Sequence, residues 1–403
     1  MNSKTLSGRL TKLAMASVAA MTLTMVNASA EDTIKMGGIM SITGGGASIG
    51  VTANEAWKMA IDEINEAGGI LGKKVEFVLA DTTTDPTHGV SEARRLIENE
   101  GIQLLVGPAT SQETIPITGV TTEKKIIQLS TAASTQLTPE FAPYHFSDSV
   151  TGVNQMRANI DYALDVLKLT KLGLISDNGG MSKAAVSEIL DYMKSRGVEP
   201  VIVQEFPFRT EDMTPQLFSM RGAGTEAILL INSIGDDSRK LLENRLDIGW
   251  EVPVLANQTM TNYAVGNVKI LGEEAFEGVY STQFVGMTYC PDDPVGESAF
   301  AKFAKRAEAR VKDLERMGGA PSLNPYYIQP LILAAAANAA GTTDGDALKA
   351  WLEENAGEIV VQTGALSADG TNHFLPAPES IVVVEKPYEL REDGLALRAD
   401  CGS

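Results

Sequence analysis

The sequence is poor in the residues most chemistries require. Its 403 residues hold three histidines and two cysteines. His88, His145 and His373 are scattered, and there is no Cys-x-x-Cys or His–Cys cluster, so a zinc site has no donor set. Basic side chains are outnumbered, 33 against 52 acidic ones, for a formal net charge of −19. That balance argues against nucleic acid and anionic lipid as partners. Long apolar runs are also missing. The stretch over 13–26 is short and broken by Ser and Thr, too weak to span a bilayer as a stable helix. No linker is long, Pro-rich or Ser-rich, so a flexible tether between domains is not expected.

The early apolar stretch has another reading. Lys4, Arg9 and Lys12 precede it without any acidic residue, and it ends in Ala28-Ser29-Ala30, a small-x-small cleavage pattern. Residues 1–30 therefore read as a secretory signal peptide, cut near Ala30. No cysteine follows the cut, so no lipid attachment is expected, and the mature chain should start near Glu31 as a soluble, exported protein. In an oxidising compartment the even pair Cys290 and Cys401 suggests one disulfide tying the C-terminal tail to a distant loop; the alternative is two free thiols.

Beyond residue 31 short apolar runs alternate with amphipathic stretches. Strands are predicted over 34–40, 75–81, 104–107 and 126–130, with helices over 51–67, 85–99 and from Gln112. A helix over 153–167 begins a second series, with strands over 172–177, 201–206, 227–232 and 254–257 and helices over 181–196, 215–221 and 237–248. Then come a strand over 278–284, long helices over 295–317 and 325–340, a shorter one over 346–355, and β-hairpin material from 359 to 387 with Asp369-Gly370 as its turn. This is βαβ logic, which builds parallel sheets with helices on both faces. The expected fold class is α/β: two Rossmann-like lobes with parallel sheets.

Ligands of open α/β sheets bind beyond the carboxyl ends of the strands. In the first half the strand-end loops are 41–50, Gly107-Pro108-Ala109-Thr110-Ser111-Gln112 and Ser130-Thr131-Ala132-Ala133-Ser134-Thr135. They are rich in small hydroxyl residues and hold no Lys, Arg or His. Hydroxyls and helix N-terminal amides suit a carboxylate. They do not suit nucleophilic catalysis, because no base stands ready to activate a serine; the plainer alternative is helix capping. The Gly44–Gly46 run is not a dinucleotide fingerprint, since Gly44, Gly45, Gly46 and Gly50 miss the Gly-x-Gly-x-x-Gly spacing and Asp81 stands well past the expected acidic position. No cofactor is expected. In the second half the loops 176–181, 232–237 and 257–259 supply amides and carboxylates; Asp236 or Asp237 could pair with a ligand ammonium or merely cap the next helix.

The run 34–44, the stretch Ala60-Ile61-Asp62-Glu63-Ile64-Asn65 with Gly68-Gly69-Ile70-Leu71-Gly72, Asp81 through Pro86, Val106-Gly107-Pro108 and Ser130-Thr131-Ala132-Ala133-Ser134 come in an order that resembles the type I periplasmic binding proteins of the leucine/isoleucine/valine-binding family, which feed ABC importers. The resemblance covers essentially the whole mature chain. It implies a periplasmic, monomeric, non-enzymatic protein partnered by a membrane permease. It also implies a three-crossing hinge near 149–153, 275–280 and 356–362, with lobe one over 31–150 plus 279–358 and lobe two over 151–278 plus 359–403. Carried over, Ser111 would donate hydroxyl and amide to a ligand carboxylate, Ala132 would offer a carbonyl to an ammonium, and Ser134 would contact both. Ala109, Thr110 and Ile49 join them on that side, and Met181, Ser233, Asp236 and Asn257 on the other. The second lobe departs from the family pattern: Met181 stands where an aromatic is usual, Ser233 near a usual tyrosine, and Asn257 where an acid pairs with the ammonium. Either Asp236 substitutes or the ligand lacks an ammonium; the family also includes binders of amides and aromatic acids.

The expected function is thus uptake of a small carboxylate, an amino acid or relative, by lobe closure around it. A ligand-sensing receptor domain uses the same fold and is the nearest alternative. An exported hydrolase is a further one, but it would need a nucleophile with a base or paired carboxylates in one cleft.

Overall fold

The computed structural model describes residues 33–401, and the expected signal peptide lies outside them. The first half reads β1 (Ile34–Met40), α1 (Ala47–Glu66), β2 (Val75–Asp81), α2 (Pro86–Arg94, continued by a π turn to Asn99), β3 (Leu104–Val106), α3 (Ser111–Lys124), β4 (Gln128–Ser130) and β5 (His145–Ser147). Local chemistry sets these boundaries. Asp85 caps α2 by accepting from the amides of Thr87 and His88, with Pro86 at the first helical position, where its missing N–H costs nothing. α1 stops where Gly68 and Gly69 take positive φ. All pairings in this sheet are parallel, in the order β2-β1-β3-β4-β5.

The chain continues through α4 (Gly152–Asp161), β6 (Leu172–Asp177), α5 (Gly180–Ser195), β7 (Ile202–Phe206), α6 (Thr214–Gly222), β8 (Ala227–Ile231), α7 (Gly235–Asp247), β9 (Val254–Ala256), α8 (Gln258–Leu271) and β10 (Val279–Phe284). It ends with β11 (Thr288–Tyr289), α9 (Ala299–Arg310), α10 (Ala320–Ala340), α11 (Gly345–Asn355), β12 (Val360–Val361), β13 (Gly364–Ala365), β14 (Ile381–Glu385) and β15 (Ala396–Leu397). The second sheet is ordered β14-β10-β9-β8-β6-β7, parallel except for β14 against β10. Central strands such as β6 and β8 are buried throughout, as a sheet covered on both faces requires.

α10 is apolar nearly all round because it is buried nearly all round. It packs along α1 in the first core, where Trp57 Nε1 donates to Gln329 Oε1 at 3.2 Å. α9 and α11 contribute Phe300, Phe303 and Leu348 to the same core.

Sheet membership corrects the expected lobe boundaries. Residues 279–284 pair with β9 and β14, so this strand belongs to the second sheet and the crossing falls after Phe284 instead of before it. The tail beyond 359 is divided as well. The Ser147 amide donates to the His373 carbonyl and the Leu375 amide to the Ser147 carbonyl, so this stretch extends the first sheet. The chain rejoins the second sheet only with β14. Hydrogen bonding between strands decides both points, and no sequence period carries that information. The helix expected over 295–317 is also shorter: α9 ends at Arg310, and a 3-10 turn, Leu314–Met317, follows a left-handed Asp313. Cys290 and Cys401 are disulfide-bonded, joining the segments that follow the parallel pair β11 and β15.

Candidate functional site

The strand-end loops of both sheets meet around a cavity of ≈ 80 Å³. From the first sheet come Ile49 on α1, Ala109, Thr110 and Ser111 at the start of α3, Thr131 and Ala133 after β4, and Asp148 and Ser149 after β5. From the second come Met181 at the start of α5, Ser233 after β8, and Gln258, Thr259, Asn262 and Tyr263 on the first turns of α8. Gln155, Phe284, Pro325 and Tyr326 close the sides.

Three helices, α3, α5 and α8, begin at this cavity. The first amides of a helix have no intrahelical partner, and the helix dipole adds partial positive charge there. The lining includes no Lys, Arg or His and one acid, Asp148. An anion would therefore be met by amides and hydroxyls, not by a counter-ion.

Each hydroxyl has a distinct duty. Ser111 Oγ accepts from the amides of Ala133 at 3.1 Å and Ser134 at 3.2 Å, which leaves its own proton to donate. Thr110 Oγ1 is committed: it donates to Glu113 Oε2 at 2.5 Å. Glu113, fully buried, also accepts from Thr82 Oγ1 at 2.5 Å and from Ser41 Oγ at 2.9 and 3.1 Å. One carboxylate thus fastens the ends of β1 and β2 to the start of α3. On the opposite side Asp177 accepts from the Gly179 amide at 2.9 Å and the Ser233 amide at 2.6 Å, fixing the loops before α5 and α7. Burial pushes its carboxyl up against the lowering effect of these donors. Gln155 accepts from the Gln258 amide at 3.2 Å and donates to Ser149 Oγ at 3.3 Å, linking α8 to the loop after β5.

Six of the ten sequence-expected ligand residues lie on the cavity: Ile49, Ala109, Thr110, Ser111, Met181 and Ser233. The other four do not. The Ala132 carbonyl accepts from Ser147 Oγ at 2.8 Å, and the wholly buried Ser134 gives its amide to Ser111; their neighbours Thr131 and Ala133 face the space instead. Asn257 is buried in a knot, accepting from the Asn232 amide and donating to the Asn232 carbonyl and Thr259 Oγ1. Asp236 is half-exposed on the first turn of α7 and pairs with Arg239 at 3.3 Å.

Sequence reasoning placed Gln258 in the 257–259 loop but missed Asp148, Ser149, Asn262, Tyr263 and Tyr326. Asp148 and Ser149 follow β5, and Asn262 and Tyr263 ride on α8, and the sequence pattern signals neither element. Asp148 is the site's unusual group. It is 2 % exposed, neither carboxylate oxygen has a hydrogen-bond partner, and burial raises its pKa well above the ordinary carboxylate value. Burial also raises the Tyr263 phenol, to about 12, and the Tyr326 phenol, so both stay protonated.

The arrangement is built to hold, not to react. A Ser–His contact does exist, Ser130 Oγ to His145 Nε2 at 2.8 Å, but both residues are buried away from the cavity and burial drops the imidazole to about 3. Among the described residues no group of three His, Cys, Asp or Glu could hold a metal, and no helix is long and apolar enough to cross a membrane.

Known proteins share this architecture. The Leu/Ile/Val-binding protein BraC3 of Rhizobium johnstonii is 24 % identical over 322 residues, covering 80 % of this chain and 83 % of its own. The crystal structure of the branched-chain amino acid transporter substrate binding protein LivJ from Streptococcus pneumoniae, in complex with isoleucine, superposes with a TM-score of 0.75 at 21 % identity, over 90 % of this chain and 97 % of that one. A Rhodopseudomonas palustris ABC-transporter solute binding protein in complex with 4-hydroxybenzoate gives 0.77 at 18 % identity, over 91 % and 95 %. At these identities the structures speak for the fold, the two-sheet architecture of type I periplasmic binding proteins. The family model described as periplasmic binding protein matches residues 33–386, nearly the whole described chain, and with its strand-end cavity lined by hydroxyls and amides this chain belongs to that family of solute-binding proteins.

Proposed function

We propose that this chain is the extracytoplasmic substrate-binding component of an ABC importer, and that it binds a small carboxylate, an amino acid or close relative, by closure of its two halves. The observation that carries this reading is the convergence of three helix starts and the Ser111 hydroxyl on one small cavity free of basic side chains. Such a site holds an anionic group through oriented dipoles. Ligand would settle on the α3 and β4 loops, and α5 and α8 would then complete its shell. Closure is driven by the contacts that exist only in the closed state. The closed surface is what a permease would read. Ser111, Thr110, Ala109 and Ile49 form the anchoring side of this site, with Met181 and Ser233 opposite.

A second reading has its own support. Tyr263, Tyr326 and Phe284 border the cavity, and similar folds include binders of 4-hydroxybenzoate and 3,4-dihydroxy benzoic acid. An aromatic carboxylate would stack on those rings while using the same anchor.

A thermal-shift screen of the purified protein against amino acids, aromatic acids and dicarboxylates separates the two. A ligand at a hundredfold its Kd adds about 2.7 kcal/mol to stability, so a true ligand stands out. Stabilisation by sugars or polyamines with none by any carboxylate would sink the proposal.

A further inference from the structure

Asp148 is a buried carboxylate with nothing to answer it. Its oxygens are unpartnered although it borders the cavity. The Gln329 side chain favours the charged form, but its Oε1 accepts from Trp57 and its Nε2 makes no hydrogen bond. The Tyr326 phenol, which Asp148 helps to raise, is held protonated chiefly by burial. Gln155 is engaged with Ser149, Asn257 and Gln258. An ionised carboxyl left in this state is costly, and proteins relieve such a cost either by protonating the group or by pairing it with a cation.

The family's expected acid is missing from position 257, where Asn257 is locked into backbone hydrogen bonds, and Asp236 is turned to Arg239. We propose that Asp148 is the counter-charge for a protonated amine on the ligand, so that the cargo is a zwitterion and not a plain carboxylic acid. This rests on the reading of the cavity as a carboxylate site. Helix starts would take the anionic end, and the loop after β5 would take the cationic one. An ammonium within about 4 Å holds the carboxyl in its charged form, replacing the missing partner. A ligand with no amine would leave Asp148 to take up a proton, and it would gain nothing from the charged carboxylate.

Three matched sets test this: leucine, isocaproate and isoamylamine; phenylalanine, hydrocinnamate and phenethylamine; and γ-aminobutyrate, butyrate and propylamine. Each is titrated calorimetrically against the wild-type protein and Asp148→Asn, with circular dichroism and melting to confirm that the variant folds. In at least one set the amino acid should bind about thirtyfold or more tightly than its deaminated partner, and Asp148→Asn should erase most of that gap by weakening the amino acid alone. Equal binding of amino acid and deaminated acid, or a gap that survives Asp148→Asn, overturns the role of Asp148 and leaves the carboxylate site standing. Binding of the amines alone overturns the carboxylate reading and not the role of Asp148. Silence from every compound overturns both.

Discussion

Gly180, at the start of α5, lies against Gln112, at the start of α3: a Cβ on Gly180 would stand 3.0 Å from the Gln112 amide nitrogen. The two residues come from different sheets, so a missing side chain lets the halves meet over the cavity. A bulky residue here should act as a wedge. Gly180→Leu is expected to weaken ligand affinity about tenfold or more, equivalent to ~1.4 kcal/mol, while the ligand-free melting temperature barely moves. Calorimetric titration with the stabilising ligand checks this; an unchanged affinity would show that closure is not limited at this contact.

Ser111 has a structural cost that is separable from binding. Ser111→Ala removes the acceptor for two buried amides, those of Ala133 and Ser134. Leaving such groups unpaired costs roughly 1–3 kcal/mol, so the urea midpoint should fall even without ligand. A variant as stable as the wild type would mean that water takes over both amides.

The Cys290–Cys401 bridge closes a loop of 111 residues. By loop entropy alone its removal could cost as much as about 4–5 kcal/mol, less whatever order the reduced chain keeps. Dithiothreitol, or the double Cys→Ser variant, should lower the melting temperature. Early proteolysis should then cut near β15, whose pairing with β11 adjoins the bridge.

Asp237 supplies a pH signature. Burial, with Asp177 and Asp236 adding repulsion, pushes its carboxyl up to about 7, despite donation from the Arg209 amide. Its folded pKa therefore lies above its unfolded one, near 3.9. The folded chain binds the extra proton, so this group's favourable contribution is present below pH ~4 and is lost as pH rises through about 7. Asp237→Asn keeps an acceptor for Arg209 and removes the charge. It should change stability little at pH 4 and raise it increasingly toward pH 8, by at most about 4 kcal/mol. Parallel melting curves for the two proteins across that range would refute the assignment.

The sequence resolved much of the fold because its strands are blocks of apolar residues with clear punctuation: the spans of β1, β2 and β6 were legible to the residue. β5 escaped, since His145-Phe146-Ser147 is three residues with no apolar period, made a strand by its neighbours β4 and 373–375. α8 escaped because its first turn, Gln258 to Thr261, is polar apart from the buried Met260, and Gln258 and Thr259 face the cavity. The same logic divides the site residues. Ser111 and Met181 were found because they follow readable strands. Asp148 was not, and Ala132 and Ser134 were misplaced by one step each, because which residue of a loop turns inward is settled by hydrogen bonds such as Ser147 to Ala132.

The grip of Glu113 on Ser41, Thr82 and Thr110 has an implication for how such a protein can change over time. A substitution at that single acid would disturb three separate stretches of backbone at once, whereas Asn262 accepts one side-chain hydrogen bond, from Gln283. Innovation in cargo would then accumulate on the α8 side of the cavity, and the side tied down by Glu113 would stay frozen.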